Sequence, residues 1–347
     1  MNITFFIGNG FDLNLGFHTR YSDFYSYYTK KYPNDLLAKD IDANKADWSD
    51  LEIGLGEFLK DRYQGSEEDF IESKNKMDNA LSEFLSAEAG RNIVFTGDAA
   101  QGFQNRIVHV DQFLSTEDAE RYRNETGSVG GVIHYCFINF NYTRSVDQII
   151  EYARKNNRPF AVHRGGGSNY EDDIRDPIHI HGTTKEEMIL GVNDIDQMSK
   201  EKDISDELML AMIKSEINDS LGNRKNEIVQ ATIEDSKYIV IYGMSLGLTD
   251  LRWWKSIFEW LKKDKSKSVI IFHYSTDGSV PSGGQTAQRK NRVRREFFKK
   301  VGASQEECNQ FKKQVIVQIN SPIFNFQKIS VEELNNNPEE NEGNKHG

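Results

Sequence analysis

Four short segments of this 347-residue chain carry side chains that could do chemistry. The first is Gly8-Asn9-Gly10-Phe11-Asp12, with Gly16 further on. A Gly-x-Gly turn lets the backbone approach a ligand closely, and a helix N-terminus behind it offers free amides to a pyrophosphate. Gly16 falls six residues after Gly10 rather than three, so the dinucleotide fingerprint is broken; a tight strand-to-helix turn without a ligand fits as well. The second is Asn139-Phe140-Asn141-Tyr142-Thr143. Polar residues there either reach a crevice at a strand end or, as Asn141 or Thr143, cap the next helix. The third is Ile178-His179-Ile180-His181-Gly182, whose alternating histidines share one face of a strand. No acidic or cysteine partner stands at metal-site spacing, so no metal is expected. A buried histidine is commonly structural, but His181 before a glycine at a strand end is the general acid–base candidate that titrates near neutrality. The fourth runs from Tyr242-Gly243-Met244-Ser245 to Thr249-Asp250. It is either an ordinary turn with Thr249 as helix cap or a second wall of a nucleotide crevice.

The elements that must position these residues are legible in the hydrophobic pattern. Ile3–Ile7 reads as a buried strand. Ser22–Tyr32 reads as a helix, as do the stretches opened by Ser49-Asp50-Leu51-Glu52, which has capping-box spacing, and by Ser66. These helices precede the next strand and predict a helical insertion at about 34–126. Beyond Gly127–Gly131, strands are expected at Val132–Phe140, Phe160–His163, Ile178–His181, Met188–Val192, Tyr238–Tyr242, Val269–Tyr274 and Val315–Ile319. Helices are expected at Ser145–Lys155, Asp206–Glu216, Asn226–Asp235, Leu251–Lys263 and Arg289–Val301. The alternation predicts an α/β, Rossmann-like fold: a mostly parallel sheet with helices on both faces, formed as one domain over 1–334. Residues 335–347 lack core formers and predict a disordered tail.

Composition narrows the function. Forty-three Lys and Arg against 54 Asp and Glu give a net charge of −11, which argues against a protein that coats nucleic acid or membrane. The basic run Arg289-Lys290-Asn291-Arg292-Val293-Arg294-Arg295, continued by Lys299 and Lys300, reads as a solvated face or an electrostatic dock; one basic helix without interleaved aromatics is a thin platform for nucleic acid. Two cysteines, Cys136 and Cys308, allow neither a four-cysteine zinc site nor a disulfide framework, which predicts a reduced, cytoplasmic chain. No apolar run is long enough to span a bilayer, and the first residues lack a basic, signal-like start.

Taken in order, the four segments resemble the AbiH abortive-infection family. Its marks are an Ile-Gly-Asn-Gly-Phe-Asp-Leu turn (Ile7–Leu13) with Thr-Xaa-Tyr downstream (Thr19–Tyr21), an Asn-Phe-Asn-Tyr-Thr segment (Asn139–Thr143), a His-Gly (His181-Gly182) and a Gly-Xaa-Ser-Leu segment ending in Asp (Gly243–Asp250). That family in turn resembles a divergent branch of the sirtuin-like fold. The likeness implies catalytic roles for Asn141 and His181. It places a nucleotide, NAD as substrate, against Gly8, Asn9, Gly10, Asp12, Arg20, Gly243, Ser245 and Asp250. Two departures stand out: Asp12 replaces a serine of the sirtuin pattern, and Thr143 replaces an aspartate. Asp12 would lie by the pyrophosphate unless it faces a ribose or Arg20. The sirtuin zinc ribbon needs four cysteines, so protein deacylation is not implied. The activity implied is an anti-phage NAD glycohydrolase, with Gly8, Gly10 and Ser245 cradling phosphate, Asn141 orienting ribose or water, and His181 as base. A non-catalytic nucleotide sensor would use the same pocket, and a nucleic-acid effector would use 289–300. Self-association into a homo-oligomer and a phage-derived trigger stay open as partners.

Overall fold

The computed structural model describes residues 1–90, 93–94, 97–200, 204–276, 282–324 and 329–330. The expected tail at 335–347 lies outside the described residues. Within them the chain forms ten strands: β1 (Asn2–Ile7), β2 (Ile93–Val94), β3 (His134–Asn139), β4 (Ala161–Gly165), β5 (Ser168–Ile174), β6 (Ile178–His179), β7 (Ser236–Tyr242), β8 (Ser268–His273), β9 (Val315–Ile319) and β10 (Ile329–Ser330). Eight of them make one sheet in the order β4-β5-β3-β1-β7-β8-β9, with β6 also paired to β3. Every pairing in it is parallel except the β4–β5 hairpin at one edge. β2 and β10 form a separate antiparallel pair.

The apolar runs of β1, β3 and β7 exist because both faces of the sheet are covered. Ile3, Phe5 and Ile7 point with Tyr135, Phe137 and Val240 into one layer, under helices 97–108, 116–127 and 145–156. Phe6 points with Ile138, Ile239 and Ile241 into the other, under helices 225–235, 251–262 and 283–300. A third cluster joins helices 21–31, 36–43, 51–57, 67–89 and 206–212 to Tyr142, Leu190 and Val192. It roofs the sheet where β3 ends. The chain moves outward from β1 through β3 to β5 and returns beside β1 as β7. The change of direction between β1 and β7 is where open α/β sheets leave a crevice at their C-terminal ends. Among the described residues, no helix is long and apolar enough to cross a membrane.

Several expectations need correction. Met188–Val192 is not a strand; Val192 makes one isolated bridge to Ile213, and the run is buried in the helical cluster instead. That bridge splits the expected helix Asp206–Glu216 into Asp206–Met212 and Lys214–Ser220, with Ile213 extended between them. Ser49 does not cap helix 51–57; Asp50 does, accepting from the amides of Glu52 and Ile53. Strand β5 was not expected, because its sequence Ser-Asn-Tyr-Glu-Asp-Asp-Ile is polar; it lies between the edge strand β4 and β3, and meets β3 only through Asp173 and Ile174.

Candidate functional site

The two glycine turns meet at the switch point. The Gly8 amide donates to Tyr242 O at 2.9 Å, and the Gly10 amide donates to Gly243 O at 2.9 Å. A Cβ on Gly10 would stand 2.5 Å from Gly243 Cα, and one on Gly8 would stand 2.7 Å from Gly243 O. Gly243 itself has φ +71°. The glycines are therefore demanded by one turn pressing on the other. This corrects the reading of the Gly8 and Gly10 amides as a phosphate cradle: both are already bonded to carbonyls. Asn9 ties the first turn down, donating from Nδ2 to Thr19 O at 2.7 Å and accepting from Thr19 Oγ1 at 2.5 Å.

Asp12 is turned toward two hydroxyls of the segment that follows β3. It is 1% exposed and accepts hydrogen bonds from Thr143 Oγ1, at 2.5 Å, and from Ser145 Oγ. Burial pushes its carboxyl up to about 6, against the lowering pull of those hydroxyls and of His179. The Asp12 and Thr143 departures from the sirtuin pattern are thus bonded to each other. Asn141 follows β3 and donates from Nδ2 to Gly8 O at 3.2 Å, so the β3 and β1 turns are locked together. His179 anchors the same segment: its Nδ1 faces Asn141 O at 3.0 Å and its Nε2 faces Asp147 Oδ2 at 2.8 Å. Both ring nitrogens are therefore engaged by groups of the protein itself.

His181 goes elsewhere. The expected strand Ile178–His181 stops at His179, so the two histidines do not share its face; His181 lies in the turn before Gly182, at φ +72°, and its Nε2 meets Asp250 Oδ1 at 3.2 Å. Lys214 Nζ lies 3.7 Å from that same Asp250 oxygen and donates to Glu52 Oε2 at 2.7 Å. Burial raises the Asp250 carboxyl, yet Lys214 and His181 together hold it below the usual carboxylate range. Glu52 and Lys214 do not move as a simple pair. Burial lifts Glu52 further than Lys214 can lower it, whereas Glu52 and Asp250 outweigh the burial of Lys214 and secure its proton. Asp50 is also raised, because burial outweighs its two backbone amide bonds.

Gly8, Asn141, His181 and Ser245 all line one cavity of about 140 Å³, together with Asp50, Glu52 and Asp250. His181, Lys214 and Asp250 also wall a second cavity of about 430 Å³ on the side of helix 251–262. Past the Gly10–Gly243 contact lies a third, about 310 Å³, lined by Arg20, Tyr274 and Asn320 among others. Arg20 therefore lines this neighbouring cavity and not the small one, and Asp12 lines a separate cavity of about 70 Å³ with Asn9, Asn141 and Thr143. Three cations of the basic helix are held by the body of the protein, while Arg295 and Lys299 are exposed. Arg294 Nε donates to Val315 O at 2.8 Å, Lys290 Nζ to Gln318 Oε1 at 2.8 Å, and Lys300 Nζ to Leu246 O. Sequence reasoning missed Asp50, Glu52 and Lys214. The one available signal was Asp50-x-Glu52 at a helix start, which reads as capping.

No curated protein matches this chain. The family model described as bacteriophage abortive infection AbiH matches residues 4–272, a span that runs from β1 into β8 and includes all four motifs, Glu52 and Lys214. The motifs that build this cavity lie within that match, and the chain belongs to the AbiH bacteriophage abortive-infection family.

Proposed function

We propose that this AbiH protein acts in abortive infection by cleaving the nicotinamide–ribose bond of NAD, as a divergent sirtuin-like glycohydrolase. The observation that carries this reading is the meeting of a carboxylate-held histidine, an amide side chain and further acidic groups around one cavity at the switch point. Breaking an N-glycosidic bond develops positive charge on the ribose, as in glycoside hydrolysis. The Asp250 and Asp50 carboxylates beside the cavity favour that charge. Asp250 accepts from His181 Nε2, which fixes the proton there and leaves the Nδ1 lone pair as the base. A base so placed takes a proton from water or a ribose hydroxyl, help worth ~10²–10⁴-fold in rate. Asn141 spends its Nδ2 on Gly8 O, and its Oδ1 is left to orient a hydroxyl or water. With the glycine amides closed, the phosphates rely on Arg20 in the neighbouring cavity.

The same cavity would also serve a second reading, a nucleotide sensor that binds without turnover. A panel of nucleotides incubated with purified wild type and His181→Ala separates the two. Nicotinamide release by the wild type alone is expected. NAD bound by calorimetry without release would select the sensor, and neither binding nor release would remove both.

A further inference from the structure

The loop between β7 and helix 251–262 brings Ser245 and Asp250 to the cavity, and its backbone is held in an unusual way. Four successive carbonyls are each taken by a side-chain donor from a different part of the chain. Lys300 Nζ donates to Leu246 O, Trp254 Nε1 to Gly247 O at 3.0 Å, Asn193 Nδ2 to Leu248 O at 2.8 Å, and Lys214 Nζ to Thr249 O at 3.3 Å. Leu246 is left-handed, at φ 54°, although it is a branched residue buried in the core. That conformation is unfavourable for any residue with a Cβ and persists only where the surroundings impose it.

Two of these donors have other work: Trp254 is a core side chain and Lys214 pairs with Glu52; Asn193 reaches the loop from a segment outside the helices. Lys300 ends the basic helix 283–300, and among the described residues it forms no ion pair; its ammonium is spent on Leu246 O. Burial lowers this ammonium from its ordinary value, while Glu296 and Asp50 pull it back. The geometry points to Lys300 as a positioning residue: it locks Leu246 in the left-handed conformation and so holds Asp250 against His181 and Ser245 at the cavity. This gives the last turn of the basic helix a role that needs no nucleic acid. Its effect on turnover rests on the proposed NAD cleavage; the lock itself does not.

The test uses Lys300→Met, which keeps the aliphatic stem, and Lys300→Arg, which keeps a donor. Hydrogen exchange followed by mass spectrometry reads the peptide spanning 243–250. Exchange there is expected to quicken about tenfold or more in Lys300→Met, with β8 and β9 unchanged and Lys300→Arg like the wild type. If the wild type releases nicotinamide, kcat should fall about tenfold in Lys300→Met with KM little changed, and Lys300→Arg should restore it. Unchanged exchange in Lys300→Met, a uniform rise across the chain, or equal loss in Lys300→Arg would overturn the lock. Faster exchange confined to 243–250 with no nicotinamide release by the wild type would keep the lock and remove the glycohydrolase.

Discussion

Asp12→Asn removes a charge and keeps a shape. In the native protein the carboxyl is buried beneath the β3 turn and is pushed from 3.8 to about 6. Between those two values the folded state holds a proton that the unfolded chain has lost. Stability from Asp12 is therefore complete below pH ~4 and is lost as pH rises through ~6. The displacement corresponds to about 3 kcal/mol at neutral pH and above, from about 1.4 kcal/mol per unit. Asparagine does not titrate, and its amide can still exchange hydrogen bonds with the Thr143 and Ser145 hydroxyls. Urea unfolding of both proteins, followed by circular dichroism from about pH 4 to pH 8, isolates the term as a difference. The stability of Asp12→Asn relative to wild type should climb by about 2–3 kcal/mol across that range. A difference that stays flat would refute the raised carboxyl. One that shrinks with pH would show a carboxylate stabilised by folding, the opposite of the burial argument.

Other perturbations test the remaining contacts. Gly10→Ala puts a Cβ 2.5 Å from Gly243 Cα and should cost at least about 2 kcal/mol, whereas Gly97→Ala, with nothing within 4 Å, should be neutral; thermal unfolding compares them. Lys214→Met leaves Glu52 and Asp250 without their cation and should cost ~3–5 kcal/mol in denaturant unfolding, part of which Glu52→Gln in the same chain should recover. Asn141→Ala and His181→Ala should abolish phage protection in plaque assays while circular dichroism stays native; full protection by either would remove that residue from the mechanism.

The parts of this fold that were legible share one property: their residues see apolar surroundings on a regular period. Strands β1, β3, β7, β8 and β9 are buried on both faces and read as continuous apolar runs. Met188–Val192 is just as apolar but is buried among helices, and composition does not tell those environments apart. The polar β5 hides in the opposite way, because most of its length pairs only with the edge strand β4 and its first residues face solvent, so it needs no apolar alternation. At the site, strand ends and glycines marked Gly8, Asn141, His181 and Ser245, and these do converge. The role read into Gly10 changed because its close neighbour is another stretch of the same chain. Glu52 and Lys214 were invisible because their bond spans 162 positions, and each alone is an ordinary helical residue. The partners of Asp12 were not legible because a carboxylate in a glycine turn gives no sign of the two hydroxyls, more than a hundred positions away, that donate to it.

The measurement closest to the central claim is the NAD and nicotinamide content of phage-infected cells expressing wild type, His181→Ala or an empty vector. NAD is expected to fall and nicotinamide to rise after infection with the wild type alone. Equal NAD levels in all three would contradict the claim.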